Sequence, residues 1–360
     1  MICPPEKSKR FNFASELQEA ISKITIAPDL EITHSDYPPL IIAKHYQDWI
    51  QQMSPTARDR YLTVKLQQYL YAIFNGDLQP YTNSDRTATD LLLDGGDGGT
   101  VNCAERWYET KFYYQLTQHN HGRGYSDSGW LVIGKTEDLW QVSKNALTLN
   151  IDPQKDLSIP TTKLQIGQTV AIKMPPSLCD RGLYIAVGDA GSPNNSIPQN
   201  PVIQLYFNVA SQTALLLLDK LTQQLNDLLV PFEFKIAYNE LYFTKIDAAI
   251  LEFSSEHWHE IQPVIKNVYL ENQGGFQIGI PFFCKRLYSG LGLSEKPLVF
   301  DKQAKNIGQY YCGVIAELIV NLWKNDKNIN KTYIFSQKLI EKINLNFIYL
   351  NLKSRDIYQI

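Results

Sequence analysis

The sequence lacks paired cysteines. Its five cysteines are odd in number, widely scattered, and include no C-x-x-C pair. Disulfide frameworks use an even number of cysteines at regular spacings, so we interpret these residues as reduced thiols in a reducing cytoplasm. The five are Cys3, Cys103, Cys179, Cys284 and Cys312.

Long apolar runs and a strong net charge are also missing. No stretch approaches the roughly 20 apolar residues of a membrane span, and the first 30 residues lack the apolar run of a secretory signal. The net charge is −3 and the isoelectric point is about 6.1. We therefore expect neither nucleic acid nor a membrane as partner, a cytoplasmic location, and a local origin for any phosphate site.

Several familiar site motifs are absent or incomplete. There is no G-x-S-x-G elbow, no complete dinucleotide or P-loop pattern, and no cysteine with an evident histidine partner. The glycine-rich run that starts at Asp94 lacks the carboxylate spacing and the closing glutamate of a calcium loop. His257 and His259 are two positions apart on a predicted helix and face different directions, so they cannot chelate one metal. The sequence therefore predicts no metal site.

Hydrophobic periodicity predicts helices at the N-terminal end of the chain. Apolar residues recur at helical spacing from Phe13 and again over residues 57–74. The following segment ends in a glycine- and aspartate-rich run with too little apolar surface to fold. We predict a helical subdomain at 1–93, a flexible loop at 94–101, and an α+β domain at 102–360.

From Gly129 the period changes to two, which is typical of strands. The predicted strands are Trp130–Ile133, Leu139–Val142, Ala146–Ile151, Thr169–Met174, Leu183–Val187, Val202–Asn208, Phe232–Ala237 and Ala248–Phe253. The predicted helices are Thr213–Leu229, Glu256–Glu271, and Gly308–Trp323, which is expected to close the sheet. Strands in runs with packed helices indicate an α+β fold with a mainly antiparallel, twisted sheet.

Seven segments, in order and at their spacing, carry a family resemblance. They are Gln118–Trp130, Val170–Leu178, Leu183–Gly191, Leu205–Asn208, Thr222–Asn226, Phe234–Asn239 and Phe283–Leu293. Together they resemble the HopA-type type III effector family and its bacterial homologues in peptide-modifying gene clusters. The resemblance extends over roughly residues 30–350. The segments are specific jointly and weak singly.

The resemblance implies a reaction. Members linked to class V lanthipeptide biosynthesis are phosphopeptide lyases: a separate kinase-like protein phosphorylates Ser or Thr of a precursor peptide, and the HopA-like protein eliminates the phosphate to leave a dehydroamino acid. Such an elimination needs a base for the Cα proton and cations for the phosphate and the developing charge. Neither a metal nor an organic cofactor is required. The bacterial homologues imply a bacterial cytoplasmic protein.

The resemblance also implies candidate site residues. Lys235 and Lys173 are candidates for the base if burial or a neighbouring cation lowers the lysine pKa towards about 7–8, and solvated strand lysines if not. His119 or His121 is the candidate proton donor, or a histidine that fixes the glycine-rich turn Gly122-Arg123-Gly124. The candidate phosphate ligands are Lys245, Lys285, Arg286 and Arg123. The remaining candidates are Asp127 and Asp247, as orienters or turn caps, and Tyr238, as a groove or core aromatic.

The chain departs from the expected family pattern at three positions. Gln204 and Tyr311 stand where relatives are expected to carry arginine, and Lys245 stands where many carry arginine. Fewer guanidinium groups weaken bidentate recognition of phosphate. A non-catalytic module that binds a peptide or a kinase partner is therefore the alternative. A delivered effector is disfavoured, because the helical pattern begins by residue 13.

Overall fold

The computed structural model describes residues 13–27, 30–42, 44–75, 103–136, 138–161, 163–180, 182–194, 200–296 and 306–325. The chain divides into two compact units, residues 1–100 with 300–357 and residues 101–299 with 358–360. The predicted glycine-rich loop at 94–101 lies outside the described residues.

The first unit consists of helices and a short hairpin. Its described elements are α1 (Phe13–Ser22), β1 (Ile24–Ile26), β2 (Ile32–His34), α2 (Lys44–Gln52), α3 (Pro55–Phe74) and α7 (Ile307–Asn325). The strands β1 and β2 pair antiparallel. Helix α3 begins at Pro55, and the Ser54 hydroxyl accepts a hydrogen bond from the Ala57 N–H, which is a common N-terminal cap.

Helix α7 packs against α3. The Gln67 side chain donates to the Gln309 carbonyl at 2.9 Å, and Gly308 leaves room for the Tyr71 ring, which lies 3.0 Å from where a Cβ would be. The sequence predicted this helix correctly, but the expectation that it closes the sheet is wrong. Its glycine-containing face fits the side chains of α3 instead.

The second unit is built from two antiparallel sheets, three α-helices and three short 3-10 helices among its described residues. Its elements are α4 (Cys103–His119), β3 (Tyr125–Lys135), β4 (Trp140–Lys144), β5 (Leu147–Ile151), β6 (Thr169–Met174), β7 (Ser177–Asp180), β8 (Leu183–Val187), β9 (Val202–Phe207), α5 (Ser211–Asp227), β10 (Phe232–Ala237), β11 (Ala249–Ser254), α6 (Trp258–Glu271), β12 (Lys285–Tyr288) and β13 (Leu291–Glu295). The smaller sheet has the order β5-β4-β3-β6, and the larger has the order β12-β13-β9-β11-β10-β8-β7. The predicted α+β fold is confirmed.

The larger sheet has one apolar face. Side chains alternate between the two faces along a strand, so Phe232, Phe234 and Ile236 of β10 all lie on the same side. They share one hydrophobic core with leucines of α5, including Leu218 and Leu221, and with side chains of α6. The residues between them, Glu233 and Lys235, must therefore lie on the opposite face. That polar face carries the candidate site.

Candidate functional site

A row of polar residues crosses four adjacent strands on the polar face of the larger sheet. Glu233 of β10 lies opposite Glu252 of β11, which lies opposite Gln204 of β9, which lies opposite Ser294 of β13. Lys235 lies two residues beyond Glu233 and so shares its face. Glu252 and Gln204 have no exposed surface, so this polar row is buried rather than solvated.

The Glu252 carboxylate accepts four hydrogen bonds. Its Oε1 accepts from Lys235 Nζ at 2.8 Å and from Gln204 Nε2 at 2.6 Å. Its Oε2 accepts from Lys296 Nζ at 2.8 Å and from Asn194 Nδ2 at 3.1 Å. Burial on its own would raise the pKa of Glu252, but the positive charges of Lys235 and Lys296 outweigh burial and lower the pKa to about 2. Glu252 is therefore an ionised, fully hydrogen-bonded carboxylate.

Lys235 is held between two carboxylates. Its Nζ lies 2.8 Å from Glu252 Oε1 and 3.2 Å from Glu233 Oε2, and its side chain is only 13% exposed. Burial favours the neutral amine, but the charges of Glu252 and Glu233 outweigh it and raise the lysine pKa above 10.5. Lys235 is thus not a solvated strand lysine. Its pKa is shifted in the direction opposite to the one that a lysine base requires.

The glycine-rich turn reaches this polar face through Tyr125. A Cβ on Gly191 would lie 3.8 Å from the Tyr125 ring, and the next residue, Ser192, donates from its hydroxyl to Glu233 Oε1. Burial and the negative charges of Asp127 and Glu233 raise the pKa of Tyr125 to about 12. The first residue of β3 therefore lies close enough to Glu233 to sense its charge.

The turn itself is tied to helix α5. The His121 backbone N–H donates to Thr222 Oγ1 at 3.0 Å, and His121 Nε2 lies 2.8 Å from Asp219 Oδ1. Arg123 donates to Asp189 twice, from its backbone N–H at 2.7 Å and from Nε at 3.0 Å. Three of the segments that carry the family resemblance, those beginning at Gln118, Leu183 and Thr222, are thereby joined in space.

The two candidate histidines have different environments. His119 ends α4, and its Nδ1 lies 2.8 Å from the Gln115 carbonyl oxygen. A carbonyl only accepts, so Nδ1 carries the hydrogen, and Nε2 is an acceptor when the ring is neutral. His121 is paired with Asp219 and fixes the turn to α5. The two predicted roles are proton donor and a residue that fixes the glycine-rich turn, and the contacts of His121 match the second.

The other lysines named from the sequence lie elsewhere. Lys173 is on β6 of the smaller sheet, where its Nζ donates to the Lys155 carbonyl at 3.1 Å. The Lys245 Nζ lies over the Tyr242 ring, 5.3 Å from its centre. These two lysines therefore belong to different elements from Lys235.

Lys285 and Arg286 lie on the edge strand β12. Lys285 is opposite Leu293, a core residue, so it shares the helix-covered face. Arg286 is opposite Gly292 and shares the polar face with Lys235, but β12 and β10 are four strand spacings apart, roughly 19 Å at about 4.8 Å per spacing. Lys285 and Arg286 are thus separated from Lys235, the first by its face of the sheet and the second by the width of the sheet.

The remaining candidates make local contacts. Asp127 accepts from Lys144 Nζ at 2.6 Å and from Trp130 Nε1 at 2.7 Å, so it orients a basic side chain within the smaller sheet. Asp247 is close enough to Cys284 that its charge adds to burial in raising the pKa of that thiol. The Tyr238 ring packs edge-to-face on Tyr113 with centres 6.1 Å apart, at the margin of the main core.

Sequence reasoning did not single out Glu233, Glu252, Lys296 or Asn194. One signal was available, because Glu252 is a charged residue inside the otherwise apolar run Ala-Ile-Leu-Glu-Phe. A charge in a buried strand needs a partner of opposite sign. The partners themselves could not be named, since they come from segments far away in the sequence.

Comparison with known proteins identifies the family. Residues 174–350 match the model of the HopA1 effector protein family. Over these residues the chain is similar to that family, and the resemblance found in the sequence is confirmed. Among solved structures the chain is similar to the effector protein from Pseudomonas syringae pv. syringae strain 61, at 12% sequence identity and a TM-score of 0.37, over 78% of this chain and 92% of that one. No curated protein matches the chain.

None of the helices in the described ranges is both long and apolar enough to span a membrane. Within the same ranges, no three His, Cys, Asp or Glu side chains are grouped so that they could hold a metal ion.

Proposed function

We propose that this protein is a phosphopeptide lyase of the bacterial cytoplasm. Its substrate is a precursor peptide in which a separate kinase-like protein has phosphorylated Ser or Thr, and its product carries a dehydroamino acid. The proposal is supported by the family match over residues 174–350 and by the motif segments named above. The buried charges of the larger sheet also support it.

The observation that carries the proposal is the pair of ammonium groups at Glu252. Lys235 and Lys296 each approach this fully buried carboxylate to 2.8 Å, and their own side chains are only 13% and 14% exposed. Burying several charges is expensive, and a well-packed apolar cluster of the same size is often at least as stable. Clusters of this kind are therefore candidates for function rather than for stability alone.

In this proposal Lys235 supplies charge and not basicity. Elimination of phosphate places negative charge on the peptide carbonyl and on the departing oxygen, and fixed cations in a dry site stabilise such charge strongly. The raised pKa of Lys235 keeps it protonated at neutral pH, which suits this role. Lys296 would supply a second positive charge for the phosphate.

A second candidate function is non-catalytic binding of a peptide or a kinase partner. Two observations favour it. The charges of Lys235 and Lys296 are balanced by those of Glu233 and Glu252, so the cluster has no surplus positive charge for a phosphate. In addition, Lys173 lies in the other sheet, where its Nζ donates to the Lys155 carbonyl and not to either glutamate.

The test is an elimination assay on the full chain. Synthetic phosphothreonine and phosphoserine peptides are incubated with the protein, and mass spectrometry records the loss of one phosphoric acid. Lys235→Met should reduce the rate about 10²–10³-fold, the typical effect of removing one transition-state electrostatic contact. Lys266→Met, on the exposed side of α6, is the matched control and should retain the rate.

The two candidate functions predict different outcomes. Intact peptides with the wild-type protein would overturn the lyase proposal, and co-purification of a kinase-like protein without a mass change would support the binding function. Where Lys235→Met does not fold, Lys235→Gln removes the charge and keeps a hydrogen-bond donor, and an unchanged rate in that variant would count against a role for the Lys235 charge.

A further inference from the structure

We infer that Glu233 is the proton acceptor of the elimination, an inference that rests on the proposed lyase function. The sequence pointed to lysine bases, whereas the geometry of the polar face points to a carboxylate. Glu233 and Glu252 are direct cross-strand neighbours on β10 and β11. They share the same ammonium group, but their surroundings differ in two respects that decide which of them can take up a proton.

The first difference is the number of hydrogen-bond donors. An ionised carboxylate offers about four lone-pair sites. Four donors occupy Glu252, namely Lys235, Gln204, Lys296 and Asn194. A proton could reach Glu252 only by displacing one of them. Glu252 is therefore an anchor for the surrounding cations and not a base.

Glu233 has fewer donors. Its Oε1 accepts from the Ser192 hydroxyl, and its Oε2 lies 3.2 Å from Lys235 Nζ. Among the described residues these are its two partners, so roughly half of its lone-pair sites are open to a substrate proton. Glu233 can accept a proton without giving up either contact.

The second difference is access. The Glu233 side chain is 15% exposed, whereas that of Glu252 is 0% exposed. A Cα proton of a bound peptide can approach only the carboxylate that has a surface. The glycine-rich turn also borders Glu233, since Tyr125 lies near enough for the Glu233 charge to help raise its pKa.

The resulting step is balanced in atoms and electrons. The Glu233 carboxylate takes the Cα proton of the phosphorylated residue, and the C–H electron pair forms the Cα=Cβ bond. The Cβ–O bond breaks, and phosphate leaves with the bonding electrons. The Lys235 ammonium, 3.2 Å from the base, stabilises the negative charge that develops beside it. The protonated Glu233 then returns its proton to solvent.

The experiment compares Glu233→Gln with the wild-type full chain on a fluorescently labelled phosphothreonine peptide. Glutamine can turn its amide oxygen towards Lys235 and its amide N–H towards the Ser192 hydroxyl, which can accept as well as donate, so the fold should be retained. We expect peptide binding, measured by anisotropy, to stay within about threefold while elimination falls about 10²–10⁴-fold, the usual contribution of a general base. Thermal melting of both proteins checks the fold.

The experiment distinguishes a wrong assignment of the base from a wrong assignment of the lyase function. If the wild type eliminates phosphate and Glu233→Gln retains more than about a tenth of the rate, the assignment of the base is overturned and the lyase function stands. If the wild type eliminates from no phosphopeptide, the function falls and the inference falls with it. If Glu233→Gln does not fold, Glu233→Asp decides: with binding intact, an unchanged elimination rate overturns the assignment, because a shorter carboxylate cannot reach the same proton.

Discussion

Removing the Lys235 ammonium should strongly destabilise the second unit. In Lys235→Met the two carboxylates of Glu233 and Glu252 remain opposite each other on adjacent strands without the cation between them. Two unit charges about 5 Å apart at an effective dielectric constant of about 20 repel each other by roughly 3 kcal/mol. Breaking a buried ion pair typically costs about 3–5 kcal/mol. We therefore expect a loss of about 3 kcal/mol in the free energy of unfolding.

The assay is urea unfolding, with hydrogen exchange of β10 and β11 amides to assign the effect to this sheet. The double variant Lys235→Met with Glu233→Gln tests the cause, because it removes one of the two facing charges while Glu252 keeps Lys296. It should recover at least half of the loss. Lys266→Met, on the exposed face of α6, should change stability by less than about 0.5 kcal/mol. A loss below about 1 kcal/mol in Lys235→Met, or no recovery in the double variant, would refute the reasoning.

Three further predictions concern pH and backbone geometry. Glu252 has a lowered pKa of about 2 in the folded chain, so the stability it contributes is present above about pH 4.5 and is lost as the pH falls towards 2. Burial of His34 lowers its pKa below 6.5. Protonation would remove the hydrogen bond that its Nδ1 accepts from a backbone N–H, so the first unit should lose stability as the pH falls through that lowered pKa. Gly124→Ala should cost at least about 1–3 kcal/mol, because the residue has φ +99° and a Cβ would lie 2.6 Å from a carbonyl oxygen of β6.

The controls for these predictions use the same chain. Urea unfolding of Glu252→Gln and His34→Gln at several pH values should show flatter profiles than the wild type in the acidic range, and identical profiles would contradict the assignments. Gly182→Ala is the control for Gly124→Ala, since its φ is also positive, at +83°, but no atom lies within 4 Å of the added Cβ. Equal losses in the two glycine variants would show that the close contact has no effect.

Three strands could be predicted from the sequence because glycine, proline or asparagine residues bound them. Phe232–Ala237, Leu183–Val187 and Thr169–Met174 begin and end in the structure where the pattern placed them. The hairpin of β12 and β13 was missed, since its strands are short and contain Gly292. The strand β7 was missed because its side chains are mostly exposed and two prolines precede it.

The candidate site was harder to predict, and the two lysine candidates show why. Lys173 and Lys235 each lie between apolar neighbours in a strand, so the local sequence treats them alike. The structure separates them through their surroundings. Lys235 lies on a central strand whose polar face is buried, whereas Lys173 is exposed beside the turn that contains Lys155. Which environment a strand lysine meets depends on sheet order and register, and neither is encoded locally.

The four donors of Glu252 have a consequence for the order in which the chain can become stable during synthesis. They come from a loop residue, Asn194, from two strands and from Lys296, the last of them to leave the ribosome. A nascent chain that stops before Lys296 contains the central strands, but its buried Glu252 carboxylate lacks one of its two lysine partners. A fragment truncated at this point should therefore be less stable than the longer chain, even though every strand of the sheet has already been made.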